Sequence, residues 1–345
     1  MNKWAVRLLK YGISFCILGW LFYQAWQANQ FQVLWSGPKN WFWLATALAV
    51  GLAVCLVSFF RWYLLCRALA LPITYFDAVR LGFLGTLLNL LSIGVLGGDT
   101  VKAVFLVRQV PGRAAEAIAS VVFDRAIGLL AMFSFAGVAW LLTDIPPGDP
   151  THLAEYHAMN MVCQFALGMS VAGFVSLAVL LLTPRFTKTR LYKRLSRFPR
   201  IGNGFKRLTG IVLVYRTQFR TVVAAFALSI LVNVMFATTF FSIAAGISET
   251  HPSFRQHLVI SPIAMVANAA PLPGGLGGME AAVNYMYRAF SSSRLPTEHG
   301  FVVALGFRLI LLLTAAIGFV FYLSSKSEIR ELSRTPLPGG AARAG

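Results

Sequence analysis

The chain has 345 residues, of which 57% are hydrophobic and only 12% charged, about half the charged share of an ordinary water-soluble domain. That balance excludes a pair of soluble domains. The net charge of +18 would suggest nucleic acid in a soluble protein, but no nucleic-acid-binding pattern accompanies it, and in a membrane protein basic residues first report which side a loop is on.

Apolar runs long enough to cross a hydrocarbon core, about 30 Å or roughly 20 helical residues, recur along the whole chain. The first, Tyr11 to Trp26, follows the basic stretch Met1 to Lys10. No small-residue cleavage site follows it, so it reads as an uncleaved first helix and not as a signal peptide. Lys3, Arg7 and Lys10 precede this run, whereas the connection Ala28 to Asn40 holds only Lys39, which places the N-terminus in the cytoplasm. A second span, Trp41 to Leu65, leads to a basic segment with Arg67 and Arg80.

The next basic connection holds Arg108 and Arg113 and is also inside. Only Leu81 to Val107 lies between the two, and Ser92-Ile93-Gly94-Val95-Leu96-Gly97-Gly98 interrupts it. Each half is too short to cross, which predicts a re-entrant hairpin entering from the cytoplasm. The span Ala115 to Leu142 then leads to Thr143 to Met159, which holds Asp144, Asp149 and Glu155 but no Lys or Arg and reads as external.

Asn160 to Leu182 crosses back. The loop 183–220 is cytoplasmic: eleven of the 30 Lys and Arg residues fall between Arg185 and Arg220, with no acid among them. Within it Ile201, Phe205, Leu208, Ile211, Val212 and Tyr215 recur at helical spacing, an interfacial pattern that attracts anionic headgroups, although topology alone accounts for the charge. Thr221 to Ile247 spans outward. A second interrupted segment follows: Leu258 to Ala270, then Pro271-Leu272-Pro273-Gly274-Gly275-Leu276-Gly277-Gly278, then Met279 to Phe290. Phe301 to Ser324 returns the chain to a basic, Pro/Gly-rich tail, 325–345, expected to be disordered.

The expected fold is therefore all-α and polytopic, with about eight hydrophobic segments: six full transmembrane helices and two inverted re-entrant hairpins, both termini cytoplasmic. The transmembrane domain is 1–324, with repeat halves at 41–142 and 221–324. Asn89 precedes the first Leu-Gly-Gly by seven positions and Asn268 the second by eight, and Asp99 or Glu280 follows each. Inverted repeats with broken helices near the midplane are a mark of secondary transporters. Eight ordinary spans kinked at Gly and Pro are the alternative.

Irregular backbone at membrane depth belongs in a protein interior or along a wet cavity, so the breaks are expected to line one. A helix starts at each, and its unpaired N–H groups and positive dipole end favour an anion such as a lipid phosphate; Asp99 and Glu280 capping their own helices is the competing reading. Asp124, Arg125 and Arg308 lie deep in spans, where a charge needs a partner or water. Lys102 is placed to pair with Asp99 or Asp124, and Glu280 with Arg308 or Arg125. Arg61, near the end of its span, is read as snorkelling. A structural ion-pair network competes with a substrate path for all of these charges.

Cys16, Cys55, Cys66 and Cys163 stand singly, and His152, His157, His251, His257 and His299 fall in segments read as external. Neither set has metal-ligand spacing. No nucleotide-binding motif is present, and no metal or cofactor is expected.

These motifs resemble the flippase-like transmembrane domain of lysylphosphatidylglycerol synthases and related stand-alone inner-membrane proteins. The residues that carry the likeness are Gly97-Gly98-Asp99 with Lys102, Ser120-Val121-Val122-Phe123-Asp124-Arg125, Pro273-Gly274-Gly275-Leu276-Gly277 with Glu280, and Arg308. Lys102 stands where the family often has Arg, and Ser-Ile-Gly replaces a proline-containing lead-in. The resemblance implies a bacterial inner-membrane protein that moves an anionic, aminoacylated or polyprenyl-linked lipid between leaflets. Asn89, Gly97, Gly98, Asp99, Lys102, Asp124, Arg125, Asn268, Gly274, Gly275, Gly277, Glu280 and Arg308 are then expected to line the route. The synthases' soluble aminoacyl-transferase domain has no counterpart in the sequence, so no enzyme is expected. The expected partners are membrane lipids with anionic headgroups. Two other readings are a non-transporting partner docking a lipid-modifying enzyme through the polybasic loop, and a membrane-embedded lipid enzyme, for which no nucleophile stands in register with a base.

Overall fold

The computed structural model describes residues 18–23, 26–27, 31–35, 38–91, 96–110, 112–143, 153–182, 215–269, 276–290 and 299–324. These form helices and connections without a strand among the described residues. After a four-residue turn, Gln32–Trp35, come α1 (Trp41–Ala68), α2 (Tyr75–Leu91), α3 (Leu96–Gln109), α4 (Ala114–Leu142) and α5 (Leu153–Leu182). Then follow α6 (Phe219–Ile247), α7 (Phe254–Asn268), α8 (Gly278–Ala289) and α9 (Gly300–Ser324).

Among the described residues, five helices are long and apolar enough to cross a membrane: α1, α4, α5, α6 and α9. The expected first span falls largely outside the described residues, as do the polybasic loop up to residue 214 and the tail. Two of the helix starts that differ from the sequence reading lie in the first half of the chain. The first hairpin arm starts at Tyr75, not Leu81, because Thr74 and Asp77 cap one another there: the Thr74 N–H donates to Asp77 Oδ2 at 3.0 Å and the Asp77 N–H to Thr74 Oγ1 at 3.1 Å. Helix α5 starts at Leu153, so Glu155 and His157 sit on a helix where an external loop was expected.

The short helices come in pairs that leave and rejoin the same end of the bundle. Arg113, just before α4, donates to the carbonyls of Leu69 and Ala70 just after α1, so α2 and α3 begin and finish beside the end of α1. The start of α1 lies at the other end, where the Asn40 N–H donates to the Gly246 carbonyl at the close of α6. There α7 departs, and α8 returns to Gly300, which packs on Asn284 and Tyr287. Two cores follow. One joins α7 and α8 to the start of α1 and the end of α4, through Ala47, Ala139, Val259, Val283, Tyr287 and Phe307. The other joins α2 and α3 to the end of α1 and the start of α4, through Trp62, Leu65, Leu81, Leu106, Ala117 and Phe123.

Helices α1 and α6 form the most extensive helix pair and run antiparallel: Asn40 meets Gly246, Gly51 faces Thr239, and Arg61 reaches Ser229. Around this pair the contacts match. The packing of α1 with α2, α2 with α3, α3 with α4 and α1 with α4 has counterparts in α6 with α7, α7 with α8, α8 with α9 and α6 with α9. Across the groups, α2 packs on α9 as α7 packs on α4. Close approach is set by small residues: a Cβ at Gly98 would strike the carbonyl of Gly85, and one at Gly318 the carbonyl of Phe83.

Candidate functional site

Charges expected to be costly at membrane depth are paired, each acid with an arginine. On the α3–α4 face, Arg125 holds Asp99 with Nε to Oδ2 at 2.5 Å and Nη2 to Oδ1 at 2.8 Å, the two-pronged geometry suited to guanidinium and carboxylate. This pair lies open, with 44% of the Arg125 side chain accessible. On the α8–α9 face, Arg308 Nε donates to Glu280 Oε1 at 2.7 Å, and this pair is closed off, with side-chain exposures of 8% and 1%. Arg308 Nη1 also donates to Asn268 Oδ1 at 3.4 Å, which brings the last residue of α7 into the same cluster.

The helix starts at both breaks already have protein acceptors. Asn89 Oδ1, from α2, accepts the Gly98 N–H at 2.7 Å; Glu280 Oε2 accepts the Gly277 N–H at 2.9 Å. Glu280 thus caps its own helix and pairs with Arg308, satisfying both readings at once, while Asp99 turns to Arg125. Gly277 has φ of +88°, a left-handed conformation that glycine adopts without strain. At Gly98 two backbones touch, and its lack of a side chain lets α3 lie against Gly85. Gly274 and Gly275 lie outside the described residues, and for Gly97 only the helical backbone is described.

Asp124 and Lys102 depart from the expected pairing. Asp124 takes Arg61 as its partner, with Nε to Oδ1 at 2.8 Å and Nη2 to Oδ2 at 3.0 Å, while Nη1 of the same guanidinium donates to Ser229 Oγ at 2.9 Å. Arg61 is 9% exposed, so it does not snorkel; it ties α1 to α4 and α6. Lys102 pairs with neither Asp99 nor Asp124. Its ammonium lies 5.1 Å from the centre of the Trp62 ring and 5.7 Å from that of Phe59.

Residues 7–318 match the family of the lysylphosphatidylglycerol synthase TM region. The chain belongs to this family. Comparison with curated proteins and with solved structures gave no match. The charged residues that carried the resemblance therefore sit in two clusters, one at each hairpin: Asp99, Lys102, Asp124 and Arg125 with Arg61 added, and Glu280 and Arg308 with Asn268 added.

Two further residues sit on helices where connections were expected. His257 is fully buried in α7, its ring nitrogens against the Ser253 carbonyl at 3.0 Å and the Tyr287 hydroxyl at 2.8 Å. The capping box of Ser253 and Gln256 starts α7 four residues before Leu258 and carries this histidine in. Tyr215, expected on an interfacial loop, stacks on Phe123 with ring centres 4.0 Å apart and donates to the Leu65 carbonyl at 3.1 Å. It pins the chain entering α6 to the end of α1. Tyr215→Phe should cost about 1 kcal/mol, the net worth of one hydrogen bond, and Tyr215→Ala about 3–5 kcal/mol, both read as thermal stability in detergent. A cavity of about 570 Å³ lies apart from the charges, between the end of α4 and the start of α5, lined by Trp140, Tyr156, His157 and Asn160.

Proposed function

We propose that this protein moves an anionic, aminoacylated or polyprenyl-linked lipid between the leaflets of a bacterial inner membrane, with both termini cytoplasmic and the halves 41–142 and 221–324 acting as an inverted pair. The observation that carries this reading is the antiparallel match between the two groups of helices. Each group holds a pair of short helices entering from its own end of the bundle and an acid–arginine pair beside the break. A lipid translocator needs polar contacts reachable from both leaflets along a path that keeps the tails in hydrocarbon, and broken helices facing each other are the usual way of supplying them. Membership in the lysylphosphatidylglycerol synthase TM family supports the same assignment.

The Asp99–Arg125 pair, which is accessible and so separable from the fold, is where headgroup contact is tested. In liposomes carrying a labelled anionic lipid, Asp99→Asn and Arg125→Gln are each expected to slow translocation by roughly tenfold or more, the equivalent of about 1.4 kcal/mol in barrier. Wild-type rates in both variants would remove the pair from the path.

A further inference from the structure

The two clusters are alike in their acid–arginine pair and unlike in everything else. Set side by side on Arg125 and Arg308, Asp124 falls opposite Phe307. Counted from the Leu-Gly-Gly or from the acid, Lys102 falls opposite Ala282 or Val283. Phe307 and Val283 are core residues of the α7–α8 end, and Thr221 to Ile247, the crossing stretch of α6, contains no ionisable residue to answer Arg61. The α7–α8 cluster is therefore neutral, one acid to one arginine. At the α2–α3 end, among the described residues, Arg61, Lys102 and Arg125 stand against Asp99 and Asp124.

Both guanidiniums in that cluster hold their carboxylates in two-pronged pairs, so the surplus positive charge belongs to Lys102. An ammonium carries three N–H donors. Ring faces attract its charge but offer no oxygen, and no protein oxygen among the described residues accepts from it. The stem runs beside α2: a Cβ at Gly85 would lie 3.4 Å from Lys102 Cε, within van der Waals contact. The Trp62 ring is itself fixed, its indole N–H donating to Ser120 Oγ at 3.4 Å. Asp99, one turn earlier on the same helix, is itself mostly covered, with 12% of its side chain accessible; its partner Arg125, 44% accessible, is the side of this cluster open to the outside.

We infer that Lys102, seated on Trp62 and Phe59, is the receptor for one singly charged phosphate oxyanion, and that it makes the α2–α3 end, and not the α7–α8 end, selective for monoanionic over zwitterionic headgroups. This rests on the lipid-translocation reading above and narrows it: the surplus of one positive charge is matched by a phosphodiester whose headgroup adds no charge of its own.

The full-length protein in neutral detergent is titrated with dioctanoyl phosphatidylglycerol, dioctanoyl phosphatidylcholine and inorganic phosphate, following thermal stabilisation. Wild type is expected to favour the phosphatidylglycerol by about tenfold or more, Lys102→Arg to keep that preference within a few-fold, and Lys102→Met to lose it. Stabilisation of wild type but not Lys102→Met by inorganic phosphate alone would keep the oxyanion site and reassign its source to a free anion, overturning the headgroup part. A preference surviving in Lys102→Met overturns the site. So does a large fall in the melting temperature of Lys102→Met without added ligand, because the lysine would then be a structural counter-ion of Asp99 and Asp124. Liposome assays separate the two levels. Protein that binds through Lys102 but moves no lipid fails the translocation reading, whereas lipid movement with unaltered headgroup selectivity in Lys102→Met fails the present inference alone.

Discussion

Arg308→Met should unfold the protein far more readily than any change at the open Asp99–Arg125 pair. Glu280 is fully buried and Arg308 is 7% exposed, so removing the guanidinium leaves a carboxylate in the core held, among the described residues, by the Gly277 N–H. Breaking a buried pair from one side costs about 3–5 kcal/mol, to be read as a drop in melting temperature in detergent. The double change Glu280→Gln with Arg308→Met should recover most of that loss, since neutral groups of similar volume carry a far smaller desolvation penalty than a buried charge. A single variant as stable as wild type would mean that the pair is wet and belongs to the path; a double variant that is stable yet fails to move lipid would give it both roles.

The second large effect belongs to Gly98→Ala. The added methyl would point at the Gly85 carbonyl, a backbone atom that cannot swing aside, so α2 and α3 must separate along their whole contact. Overpacking of this kind costs typically about 1–3 kcal/mol, and here it also pulls the Gly98 N–H away from Asn89. The expected result is poor yield of folded protein together with lost translocation. Gly168→Ala is the matched control: nothing lies within 4 Å of its Cβ position in the middle of α5, and exchanging glycine for alanine in a helix gains up to about 1 kcal/mol. Equal behaviour of the two variants would show that the α2–α3 contact is not tight.

Segment positions were readable because length and hydropathy are local properties. Trp41–Ala68, Ala114–Leu142 and Gly300–Ser324 lie within three residues of the expected boundaries at each end, and the two breaks interrupt helices where Gly and Pro remove helical propensity. The boundaries that moved, at Tyr75, Leu153 and Phe254, are all helix starts. At two of them capping side chains recruit polar residues that hydropathy assigns to loops: Thr74 with Asp77, and Ser253 with Gln256.

Partner choice was only partly legible. Glu280 with Arg308 was one of two options open to the sequence, and a spacing of 28 residues cannot decide between them. Arg61 was discounted because position along a span gives depth but not direction. It faces inward, to the acid at Asp124, 63 residues away, for which the sequence had offered Lys102.

What the amino-acid sequence determined by itself was the solvent of this protein, the order of its helices, and which two segments are interrupted, because each follows from a run of neighbouring residues meeting hydrocarbon. Tertiary structure alone decided what the breaks and charges do. Gly98 is a contact between backbones, Asn89 is a cap, Arg61 is buried, and Lys102 has two aromatic faces where a carboxylate was expected. Each outcome depends on which helix faces lie together, and the antiparallel packing of α1 on α6 sets that by bringing distant residues to one depth.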